Sequence, residues 1–178
     1  MNTQWLTRTA VILALALSIQ IIRLPQLVTG PAVNALLLLA VILVGPAAAV
    51  LIGCLTPLVA LLVGIIPPIM LPMVPVIMLA NATLVAVFSL VMQRPREGFL
   101  ALDLNLRSLV AMVSAALAKF LLFYLSINYI LNWFKVPLPL AVAAVFGITQ
   151  LYTALAGGLI ALILGKYLLG LLSPAGTK

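Results

Sequence analysis

The chain has 178 residues, of which 66% are hydrophobic and 6% charged, with two acids and no histidine. So apolar a composition leaves no room for a soluble domain and points to a polytopic membrane protein in contact with the lipid bilayer. The net charge of +7 comes from basic residues scattered singly among apolar runs, which excludes a nucleic-acid-binding patch and reads instead as a set of topology signals.

A membrane crossing needs about 20 apolar residues. The chain divides into six such spans, at about 5–22, 31–44, 46–66, 70–93, 108–132 and 140–172. They form one all-α transmembrane domain. The first apolar run, Ala10 to Ile22, follows Arg8 as a signal peptide would. The bulky, charged Ile21-Ile22-Arg23-Leu24-Pro25 offers no cleavage site, so this run reads as a retained helix. Arg23 to Gly30 is rich in turn formers and reads as a loop, with Pro31 in the first turn of span two. Gly45-Pro46 is a tight turn. Pro67-Pro68 ends span three, and Pro72 and Pro75 stiffen the approach to span four. Residues 94–107 form the one polar loop. With six spans, Arg8, Arg94, Arg96, Arg107, Lys166 and Lys178 share a side, against Arg23 and Lys135 on the other. The positive-inside rule then puts both termini in the cytoplasm. Trp5 and Trp133 fall at span ends, where indoles favour the interface.

The missing residues limit the chemistry. The only acids, Glu97 and Asp103, lie in the polar loop, so no span carries a carboxylate or histidine for an ion site or proton relay. Energy for uphill movement of a solute must come from elsewhere. Cys54 is single, and Met70, Met73 and Met78 read as apolar filler, so no metal site is expected. Gly165-Lys166-Tyr167 does not make a phosphate-binding loop, and no Ser-His or Cys-His pair exists. The expectation is a non-enzyme without a cofactor or catalytic residues.

Lys119 is the leading functional candidate. It lies roughly 16 Å into span five, near the midplane, at about 1.5 Å per residue. Such a lysine costs about 2.5–3.5 kcal/mol to insert. Three readings stand: it snorkels; it sits neutral or rests on carbonyls and water; or its counter-anion is the substrate. Asn81 in span four and Gln150 in span six fall at a similar depth. Either they fasten helices together or they line a pocket with Lys119. Tyr152 and Asn34, the latter at the start of span two, are further pocket candidates that also read as ordinary interface residues. Tyr124 and Asn128 lie towards the outer side of span five, and Asn128 is half a rotation away from Lys119. Small residues at spacing four, Ala10, Ala14 and Ser18 on span one and Ala154, Gly157, Gly158 and Ala161 on span six, mark close helix contacts.

Several of these features together resemble the substrate-binding S component of energy-coupling factor (ECF) vitamin importers, over nearly the whole chain. They are the six spans with both ends inside and the Ala10-x-x-x-Ala14 stripe. With them go Gly45-Pro46, the segment Gly64-Ile-Ile-Pro-Pro-Ile-Met-Leu-Pro ahead of Asn81, and Gln150-Leu-Tyr-Thr-Ala-Leu-Ala-Gly-Gly. The resemblance implies a binder of a vitamin or vitamin precursor in the prokaryotic cytoplasmic membrane. It would work with a transmembrane coupling subunit and two cytoplasmic ATPases. Ala10 and Ala14 would meet the coupling subunit. Asn81, Lys119 and Gln150 would hold the ligand, with Arg23, Gln26 and Thr29 in the loop above them as a lid. The absence of an initial Met-His and of any histidine departs from cobalt and nickel members. The absence of a pocket acid departs from a thiamine-like cation site. A neutral or carboxylate-bearing ligand is expected. The rival readings are a secondary transporter or channel acting alone, and a structural or assembly membrane protein.

Overall fold

The computed structural model describes residues 3–92, 106–133, 135 and 144–172. All regular structure among them is helical. The principal helices are α1 (Thr3–Ile21), α2 (Gln26–Leu43), α3 (Pro46–Leu62), α4 (Met73–Met92), α5 (Leu106–Leu125) and α6 (Ile148–Leu172). A π-turn at Ser126–Ile130 carries α5 on to Leu131–Trp133. Five of these helices are long and apolar enough to cross a membrane, and α3, at 17 residues, is a shorter apolar helix. Large aliphatic side chains lie exposed on all six principal helices, as expected of a membrane-embedded bundle.

Three boundaries differ from the sequence reading. The continuous span six expected over 140–172 is interrupted by a turn at Phe146-Gly147, so α6 starts only at Ile148; the other two differ for local reasons. Helix α2 starts at Gln26, just after Pro25, and takes Pro31 into its second turn, so it is longer than expected. Gln26, Thr29 and Gly30 are therefore helical, not part of a lid loop. Helix α3 stops earlier than expected, in a Schellman turn. Gly64 takes φ 70° there, a region costly for any residue with a Cβ. The amide of Ile65 donates to the Ala60 carbonyl at 2.8 Å and that of Gly64 to Leu61 at 3.1 Å, which satisfies the last carbonyls of the helix. The Gly45-Pro46 turn is as read: Gly45 closes α2, its amide bonding the Ala40 carbonyl at 2.9 Å, and Pro46 opens α3. Of the polar loop expected at 94–107, residues 94–105 lie outside the described residues, as does the expected start of span six at 140–143, while Leu106 and Arg107 already belong to α5.

The helices run alternately up and down. Helix α2 is the spine, packed most extensively against α6, while α4 packs against α5 and α3. Helix α2 buries ten of its residues inside the bundle and α1 only three. The α2–α6 contact depends on the expected small-residue stripe. Ala154 and Ala161 are fully buried. A Cβ at Gly157 would stand 2.5 Å from the Pro31 carbonyl oxygen and 2.7 Å from Asn34 Cβ, so the two backbones touch. A Cβ at the adjacent Gly158 would meet Met112 of α5. The stripe on α1 behaves differently: Ala10, Ala14 and Ser18 face outward, uncovered, while Thr9, Ile12 and Ala16 face the bundle.

Gly157→Ala should therefore destabilise the folded protein by about 1–3 kcal/mol, the usual cost of overpacking a tight contact. Gly170→Ala, where nothing lies within 4 Å, should be neutral or slightly stabilising. Thermal unfolding of the two variants in detergent checks the difference.

Candidate functional site: a lysine-floored cavity

One lysine side chain organises the half of the bundle towards which α1, α3 and α5 end and from which α2, α4 and α6 begin. Lys119 of α5 is 3% exposed. Its Nζ donates to Asn34 Oδ1 of α2 at 2.7 Å and to Asn81 Oδ1 of α4 at 2.8 Å. Both asparagines are held from behind. Asn81 Nδ2 donates to the Gly53 carbonyl of α3 at 2.9 Å. That carbonyl is free because the residue one turn on is Pro57, which has no N–H to offer it. Asn34 Nδ2 donates to Thr153 Oγ1 of α6 at 3.4 Å, and that hydroxyl donates to the Gln150 carbonyl at 3.1 Å. With each amide nitrogen engaged, both amide oxygens point at the ammonium. Five helices meet in this network. A protonated lysine has three N–H donors, and a third would have no partner among the described residues.

Above this floor lies a cavity of about 370 Å³, within the range of roughly 300–1,000 Å³ usual for small-molecule sites. Its floor is Lys119, Asn34 and Asn81; its walls include Ile77, Met70, Phe123 and Phe146; its rim includes Gln20, Arg23, Gln26 and Thr29. Phe123 and Phe146 pack with ring centres 5.2 Å apart. Arg23 stands in the α1–α2 turn with φ 57° and reaches the Gly64 carbonyl across the rim at 3.4 Å. No carboxylate lines the cavity among the described residues, and no cluster of metal-binding side chains is present among them.

Most sequence candidates converge here, with three corrections. Asn34 is not at the start of its helix but about two turns in, because α2 begins early, and it bonds Lys119 directly. Gln150 lines the cavity but from the first turn of α6, not from mid-helix. Tyr152 does not join the site: it is 57% exposed and absent from the cavity wall. Helical phase explains this. Residues three apart share a face and residues two apart do not, so Thr153 accompanies Gln150 inward while Tyr152 points away. Arg23, Gln26 and Thr29 all line the rim, two of them from a helix rather than a loop. Thr29 Oγ1 donates to the Leu24 carbonyl at 2.9 Å, which ties that turn down. Tyr124 and Asn128 lie outside the cavity, as their angular offset from Lys119 requires, with Asn128 Nδ2 bonding the Tyr124 carbonyl at 2.8 Å.

The sequence reading passed over Phe123, Thr153 and Gly53 with Pro57. Phe123 follows Lys119 by one turn, and Thr153 follows Gln150 by three residues, so spacing could have found both. The Gly53–Asn81 bond joins two helices and has no local signal. Comparison of the chain with known protein families, curated proteins and solved structures returns no match.

Removing one acceptor leaves the buried ammonium under-solvated. Asn34→Ala and Asn81→Ala should each destabilise the protein by about 1–3 kcal/mol. In the Lys119→Met background the same changes should cost clearly less. A double-mutant cycle from detergent unfolding measures that coupling.

Proposed function

We propose that this chain is the membrane-embedded substrate-binding component of an ECF-type importer for a small vitamin or vitamin precursor, neutral or carboxylate-bearing. The observation that carries the reading is the 370 Å³ cavity with a hydrogen-bonding floor in an otherwise apolar bundle. In this reading all six helices cross a prokaryotic cytoplasmic membrane, with both termini inside. Three basic residues, Arg8, Arg107 and Lys166, belong to the helix halves remote from the cavity, and Arg23 and Lys135 to the cavity end. By the positive-inside rule the cavity then faces outward, where an importer must capture its ligand.

Two further features support it. The chain carries no nucleotide-binding motif and no carboxylate or histidine in its apolar helices, so a partner must supply the energy, here a coupling subunit and two ATPases. Helix α1 presents Ala10 and Ala14 on an uncovered face, and small residues allow a second helix to approach closely. Against this stands a structural reading, favoured by the two oxygens that already solvate Lys119: the polar layer then only fastens helices.

Native mass spectrometry of the detergent-purified protein separates these readings. Binding predicts a stoichiometric small molecule that is lost in Lys119→Ala. Uptake should need the co-expressed coupling subunit and ATPases, and should fail in proteoliposomes that hold this chain alone. Flux by the chain alone would identify a solitary transporter or channel. A ligand-free mass, unchanged by a panel of vitamins, would leave the helix-fastening role.

A further inference from the structure

We propose that the occupant of the cavity is a monocarboxylate, seated with its anionic group on Lys119 and its body against the aromatic wall. This rests on the binding reading above and narrows its ligand. The first ground is charge. Two cations, Lys119 and Arg23, line the cavity, and no acid does so among the described residues. The chain's only acids, Glu97 and Asp103, belong to the segment between Met92 and Leu106, which are the ends of α4 and α5 remote from the cavity. The asparagine oxygens orient and solvate the ammonium, but neutral dipoles do not cancel its charge. A buried charge calls for a counter-charge, and here the ligand must bring it.

The second ground is the count of donors. Lys119 spends two N–H bonds on Asn34 and Asn81 and keeps one. Gln150, 5% exposed, spends one amide proton on a long 3.4 Å bond to the Val145 carbonyl and keeps another for the cavity it lines. Two donors suit the two oxygens of a carboxylate. A phosphate carries about −1.5 to −2 charges and three acceptor oxygens. It would ask for more donors than these two buried groups offer. The walls then receive an apolar or ring-bearing body at Ile77, Phe123 and Phe146. Arg23 has a different role. It is exposed at the rim, where a cation draws anions inward and speeds association more than it tightens the bound state.

The test uses the full chain in detergent and yeast extract split by ion exchange into anionic, neutral and cationic pools, with adducts read by native mass spectrometry. The anionic pool should give an adduct and the other two none. Capping the pool's carboxylates as amides with a carbodiimide and methylamine should abolish it, and phosphatase treatment should leave it intact. Lys119→Met should weaken the captured ligand at least about 30-fold, the usual loss when one partner of a buried charge pair is removed. Arg23→Gln should slow association and flatten its salt dependence, with dissociation unchanged.

An adduct from the neutral or cationic pool, or one that survives capping or is lost to phosphatase, overturns the carboxylate assignment and leaves the binding role standing. No adduct from any pool overturns both. Should Lys119→Met not fold, the pool and capping results on the unaltered chain decide alone.

Discussion

An ammonium group inside an apolar bundle must be solvated by the protein, and the way Lys119 is solvated determines the architecture around it. Its two acceptors come from different helices, α2 and α4. Each acceptor is aimed by a further bond, to α3 in one case and α6 in the other. A proline lies behind one of these bonds. Pro57 deprives the Gly53 carbonyl of its helical partner, and Asn81 takes up the vacancy. A residue usually regarded as a defect in a helix thus supplies an acceptor, which orients an amide, which holds a charge. The chain of cause runs from backbone chemistry to electrostatics across three helices.

The same arrangement explains why close packing matters at the far side of the site. Asn34 reaches Lys119 from a helix whose backbone touches Gly157 of α6. The small residues of α6 bring α2 near enough for Thr153 to meet Asn34. Van der Waals contact and polar satisfaction are therefore coupled, and neither could be rebuilt alone. Helix α1 stands apart from this economy. It buries Thr9, Ile12 and Ala16 and leaves most of its surface outward.

Much of this was legible in the sequence. Long apolar runs defined the helices, because nothing else buries so many aliphatic residues without charge. Lys119, Asn81 and Gln150 stood out because strongly polar groups are rare and costly in such runs, whereas Asn34, misplaced at the start of its helix, read equally as an interface residue. The limits were of two physical kinds. Helix ends depended on competition between breakers: Pro31 looked like a start, yet Pro25 had already opened the helix. Polar partnerships between helices, unlike the small-residue contact of α6, left no mark in the sequence alone. The bond between Asn81 and Gly53, or the choice of Thr153 over Tyr152, follows from rotation about helix axes and from which backbones come close.

The order of the network along the chain has a consequence for its making. Asn34 and Asn81 both precede Lys119 in sequence, and chains are synthesised from the amino end. When α5 leaves the ribosome, the helices that carry its two acceptors already exist. A lysine-bearing segment that would be costly to release into lipid by itself can then dock against groups waiting for it. Thr153, on the last helix, arrives afterwards and closes the arrangement from behind. A reordered chain, with α5 ahead of α2 and α4, would have the same final contacts and a much harder birth.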